Sequence, residues 1–210
     1  MTMILKGCIV SAPALGRLET TEHGYLIAEN GHITGIYPVL PEQYAGAPVE
    51  DYGDDLIVQS FADLHLHAPQ YPMLGTGMDL PLLDWLNTYT FPQEARYEDT
   101  EFAKEAYSVF AEDMKKSPNT RACIFGTLHV PATEILMEQL DKTGIKAMVG
   151  KVNMDRNGSP QLQEESAQAS ADATVQWIKD TLDKFENVKP ILTPRFTPSC
   201  SDALMEKLSE

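Results

Sequence analysis

Cysteine is scarce in this chain. Its three thiols, Cys8, Cys123 and Cys200, lie far apart and form no C-x-x-C pair. An odd, sparse set excludes a disulfide scaffold and reads as reduced thiols in a cytosolic protein. Basic charge is scarce too. Against 31 Asp and Glu stand 16 Lys and Arg, for a formal charge of −15. That deficit argues against a nucleic-acid binder, which needs a cationic surplus to neutralise phosphates. Long apolar runs are lacking, and no window has the length of a membrane span. The N-terminal MTMILKGCIVSAPALG is interrupted by Gly7 and Pro13 and makes a poor signal peptide. The expectation is an acidic, cytoplasmic protein with no nucleic-acid or membrane partner. What is present is an ordinary globular balance, 43% apolar and 22% charged over 210 residues. That is enough to bury a core without staples.

Residues 1–59 read as β structure. Ile4 to Val10 is a strand candidate. Tyr25 to Ala28 and Ile33 to Ile36 flank Asn30-Gly31, a hairpin signal. From residue 60 to 210, short apolar runs alternate with helical periods. Strands are predicted over Phe61–His67, Arg121–Thr127, Ile145–Val152 and Val188–Phe196. Helices are predicted from Pro81 to Tyr89, along Phe102–Ala106–Phe110–Met114, over Thr133–Leu140, and after Ser201. The strongest stripe is Ala171, Val175, Ile178, Leu182 and Phe185. The order is a β-rich start and then four β/α units, which implies a parallel sheet covered by helices. An open doubly wound sheet and part of a barrel both satisfy it. A full (β/α)8 barrel takes about 250 residues, so on the barrel reading this chain carries half of one.

Of five histidines, His65 and His67 carry the information. They close the strand Phe61-Ala62-Asp63-Leu64-His65-Leu66-His67. Strict alternation predicts residues 63, 65 and 67 on one face and Leu64 and Leu66 on the other. Parallel α/β folds place their chemistry at that C-terminal end. Two neighbouring imidazoles there suit Zn²⁺, with Fe²⁺ the alternative. The plainer reading is two hydrogen-bonded rings. Asp63 is available to orient a ring or hold a neighbouring strand. His129, at the end of the second strand, reads as a loop histidine or a supporting donor. His23 and His32 read as exposed. Trp85, Tyr89 and Phe91 read as core, and Glu164 and Glu165 as the solvated start of a helix.

Asp63-Leu64-His65-Leu66-His67 after a β-rich start resembles the amidohydrolase superfamily of metal-dependent (β/α)8 hydrolases, whose small β domain includes the N-terminal segment. His67-Ala68-Pro69-Gln70-Tyr71, the stretch Asp79 to Glu94, Val149 to Asp155 and Lys189 to Ser201 narrow the resemblance to the guanine deaminase family. It covers about residues 56 to 210. It implies hydrolytic deamination of guanine to xanthine and ammonia at one zinc ion, with His65 and His67 as ligands. Zinc makes hydroxide available near neutral pH. Gln70, Arg195 and Phe196 match the family's substrate positions. An amide suits a mixed donor and acceptor edge, and a guanidinium suits acceptors. The alternatives are a solvated Gln70 and an Arg195 paired with a surface carboxylate. The family also implies a homodimer.

Two departures stand out. Gln59-Ser60 replaces the family's Pro-Gly before Phe61. The family's later His, its H-x-x-E and its Asp do not occur by Glu210, so no general acid is identifiable here and the catalytic Glu is expected beyond that position. The expectation is an N-terminal fragment that associates through exposed half-barrel surfaces. A non-catalytic binding or assembly module and a different nucleobase deaminase are the alternatives.

Overall fold

Asn30 and Gly31 take positive φ, 51° and 82°, as a type I′ hairpin turn requires. They join β2 (Arg17–Glu29) to β3 (His32–Tyr37) in the computed structural model, which describes residues 1–210. β1 (Thr2–Ala14) pairs antiparallel with β2 and parallel with β4 (Glu50–Val58), so the sheet order is β3-β2-β1-β4. Ile4, Ile9, Ile27 and Ala28 are its buried apolar side chains. β2 extends well beyond the apolar segment Tyr25–Ala28. Its polar first half is largely exposed and is held by ladder hydrogen bonds to β1, a cause that hydropathy does not register. These strands lie in one compact unit, Met1–Ser60.

The second unit is Phe61–Glu210. β5 (Phe61–His67), β6 (Asn119–Phe125) and β7 (Lys146–Gly150) pair in parallel. β8 (Val152–Asn153) follows β7 after Lys151. β9 (Val188–Pro190) pairs with β7, and β10 (Thr193–Pro194) pairs with β8. The expected strand Val188–Phe196 is thus two short pieces. Pro190 and Pro194 supply no ladder donor, so neither piece extends. The main sheet order, β5-β6-β7-β9, follows the chain. A doubly wound sheet reverses its order at a switch point. This one does not, and its winding is that of the first four units of a (β/α)8 barrel.

Helices fill the intervals: α1 (Leu82–Trp85), α2 (Phe91–Ala95), α3 (Thr100–Lys116), α4 (Val130–Asp141), α5 (Ala167–Thr181) and α6 (Asp202–Ser209). A π-helical turn, Leu86–Thr90, joins α1 to α2. Asp99, Ser166 and Ser201 cap α3, α5 and α6, each accepting from backbone N–H groups of the first turn. The core under α3, α4 and α5 contains Tyr107, Phe110, Ile124, Leu136, Val149 and Trp177. α5 departs from the expected stripe. Its buried residues are Ser170, Ala171, Thr174, Trp177 and Thr181, while Val175 and Leu182 are exposed. The hydroxyls of Thr174 and Thr181 donate to carbonyls one turn back, those of Ser170 and Trp177. Satisfied in this way, polar residues occupy a face that a hydropathy stripe assigns elsewhere.

Candidate active site

β5 is not an unbroken ladder. Its pairing with β6 slips between Asp63 and Leu66, with one more residue on β5 than on β6. This is a β-bulge, which breaks alternation and re-aims side chains. The expectation that residues 63, 65 and 67 share a face is corrected accordingly. Leu64 lines a hollow with Cys123 and Met148, while His65 and His67 pack against Phe125, on the same face of β6 as Cys123. Their ring centroids lie 4.9 Å and 4.6 Å from that of Phe125. Leu66 points into the core. Asp63 orients no ring. Its Oδ1 accepts from the His65 N–H, 3.1 Å away, and so closes the bulge.

The two imidazoles stand 5.2 Å apart, centroid to centroid. His65 is exposed and His67 half-buried. Burial lowers the His67 pKa to about 3, with the Arg195 guanidinium and His65 adding to the effect. The His67 ring is therefore neutral across the physiological range, which is the form that ligates metals. Its Nδ1 is buried without a hydrogen-bond partner. A buried, unpartnered ring nitrogen beside a second imidazole fits a borderline-soft divalent cation. No group of three or more His, Cys, Asp or Glu converges anywhere. His65 and His67 are the two candidate ligands that stand together.

Gln70 lies in a 3-10 turn, Ala68–Met73, directly after β5. Arg195 follows β10. Between them stands Glu94 of α2, whose role no sequence pattern indicates. Both terminal nitrogens of Arg195 donate to the Glu94 carboxylate, Nη1 to Oε2 and Nη2 to Oε1 at 3.0 Å. Gln70 Nε2 donates to the same Oε1, also at 3.0 Å. The Arg195 and Glu94 side chains are only 4% and 3% exposed, so the reading of Arg195 as a surface ion pair is excluded. Phe91 is buried, as read, and lies 5.4 Å from the Arg195 Cζ. Tyr89 is exposed and Trp85 donates to the Thr76 carbonyl at 2.8 Å. Phe196 follows Arg195 with its ring partly exposed.

Two further buried polar groups hold this end of the sheet. Asn153 Nδ2 donates to Ser170 and Thr174 on α5, at 2.8 Å and 2.7 Å. Its carbonyl accepts from the Arg195 N–H at 3.2 Å, fixing the backbone that carries the guanidinium. Lys151 interrupts β7 and β8, is 1% exposed and pairs with Glu164. Glu164 also accepts from the Met154 N–H and the Ser170 hydroxyl. The expectation of a solvated Glu164 is thus overturned, while Glu165 is exposed. Nothing in the local sequence signals Glu164, because its partner Lys151 lies 13 residues away in the chain. Burial lowers the Lys151 pKa, against the pull of Glu164. His129 occupies the turn before α4. Its Nε2 is buried without a partner, and burial lowers its pKa. It joins no ligand cluster.

The model of the amidohydrolase family matches residues 56–210, and the chain belongs to that family. Within it, the chain is similar to guanine deaminases. It is 43% identical to that of Rattus norvegicus over 155 residues, 73% of this chain and 34% of that protein. It is 34% identical to a probable guanine deaminase of Schizosaccharomyces pombe over 225 residues, 99% of this chain and 42% of that protein. The solved guanine deaminase of C. acetobutylicum, with guanine bound in its active site, matches with a TM-score of 0.90 at 40% identity. That match covers 99% of this chain and 49% of that one. The chain thus spans less than half the length of these relatives.

Proposed function

We propose that this chain carries the purine-binding part of an amidohydrolase that converts guanine to xanthine and ammonia. The observation that carries the reading is the buried joining of Gln70 and Arg195 through Glu94, beside His67. His65 and His67 would hold a single zinc ion. When bound, such an ion supplies a water-derived nucleophile at neutral pH. Arg195 offers only donors, which suit the O6 and N7 acceptors of guanine. Gln70 reads an adjoining edge, and the Phe196 ring covers part of the base. The departing amine also needs a proton, and no residue named here is assigned to deliver it. The reading also treats residues 1–59 as part of a small β domain and the protein as a cytoplasmic dimer. No helix is long and apolar enough to cross a membrane.

One observation favours a second reading. No third His, Cys, Asp or Glu joins the His65–His67 pair, whereas catalytic zinc sites take three ligands from protein. On that reading the chain binds a purine without turning it over. A panel of purines and pyrimidines with ammonia detection separates the two. Ammonia from guanine supports deamination. Purine binding with no ammonia, even with zinc supplied, supports the binding module, and release from cytosine but not guanine refutes both.

A further inference from the structure

The carboxylate between Gln70 and Arg195 decides which way the amide faces. A carboxylate paired with a guanidinium is acceptor-only. Gln70 can therefore turn only its NH2 toward Glu94, and Nε2 stands 3.0 Å from Oε1. The amide oxygen is left as the end that meets a ligand. Arg195 is clamped by the same carboxylate through both terminal nitrogens, and its remaining N–H groups are all donors. Because Gln70 and Arg195 share Glu94 Oε1, an acceptor and a set of donors lie side by side. With the carboxylate 3% exposed, no water competes to reverse the amide.

We propose that Glu94 sets the hydrogen-bond polarity of the purine site, making Gln70 an acceptor and Arg195 a donor. The site then takes a lactam edge, an N–H beside a C=O, as guanine and hypoxanthine present. It opposes an amidine edge, the ring nitrogen and NH2 of adenine, where donor meets donor and acceptor meets acceptor. Such a reversal leaves buried polar groups unpaired, and sites built this way discriminate strongly. Glu94 touches no substrate in this scheme and is a positioning residue. The inference rests on the guanine reading above and names what enforces it.

The test is calorimetric titration of the zinc-loaded native protein with hypoxanthine and with adenine, purines of nearly equal size. Wild type binds hypoxanthine at least about tenfold more tightly. Glu94→Gln, whose amide offers both a donor and an acceptor, brings the two affinities within about threefold, since Gln70 is then free to reverse. Gln70→Leu weakens hypoxanthine about tenfold and does not weaken adenine. That second variant keeps the buried ion pair and decides the matter if Glu94→Gln does not fold. A merely structural role for Glu94 moves both affinities together and overturns the proposal. So does a Gln70→Leu loss that falls on adenine. If wild type deaminates guanine but holds the two purines equally, the polarity proposal fails and the guanine reading stands. If it binds neither purine and releases no ammonia, both fall.

Discussion

His67 is the residue at which packing and chemistry meet most closely. Its folded pKa lies near 3, against an ordinary value of 6.5, because burial, Arg195 and His65 all oppose its charge. Between those two values the unfolded chain binds the extra proton and the folded chain does not. The stability tied to the neutral ring is therefore complete above pH 6.5 and is lost as pH falls toward 3. In urea melts without added metal, the midpoint is expected to drop across that window, and to drop less in His67→Gln. Equal slopes in the two proteins would show that the ring is not held neutral. Glu164 supports a different prediction. Glu164→Gln leaves Lys151 buried and unpaired, at a cost of about 3–5 kcal/mol. Glu165→Gln changes an exposed side chain and stays within about 0.5 kcal/mol. Thermal melts compare the pair, and equal effects would contradict the assignment. At this scale the sequence was partly legible. The D-x-H-x-H pattern pointed to His65 and His67 because imidazoles at a strand end are unusual. Glu94 carried no such mark, because its partners lie 24 and 101 residues away in the chain.

The elements were legible where periodicity or turn chemistry had a local cause. Asn30-Gly31 predicted its hairpin because both residues tolerate positive φ. The bulge in β5 was not legible, since nothing in Phe61–His67 marks one extra residue. The buried face of α5 was misread because Ser170 and Thr174 satisfy their hydroxyls internally. Gly150 shows how closely these elements fit. A Cβ there would overlap the Thr193 side chain and approach the Ile191 carbonyl at 2.7 Å. Gly150→Ala therefore pushes the β9–β10 segment away from β7, and Arg195 follows two residues after Thr193. The expected result is a loss of about 1–3 kcal/mol, read by denaturant titration, together with weaker hypoxanthine binding. Unchanged binding would mean that Arg195 is positioned without help from this contact.

For the whole molecule, the parallel order β5-β6-β7-β9 leaves β5 and β9 as sheet edges. The face that carries Leu64 and Met148 is open, and Leu64 is 73% exposed. Open edges and an apolar face favour association. Sedimentation of the 210-residue chain is expected to shift with concentration, and a sharp, concentration-independent monomer would count against it. The (β/α) winding could be read from the alternation of elements, but closure could not, since it depends on pairing across distant residues. The most direct test of the central claim follows xanthine formation from guanine by the native protein before chelation, after complete metal removal, and after zinc is restored. Deamination at the His65–His67 end of the sheet predicts activity that disappears with the metal and returns with zinc. Undiminished xanthine formation by the metal-free protein, or none in any of the three states, would contradict it.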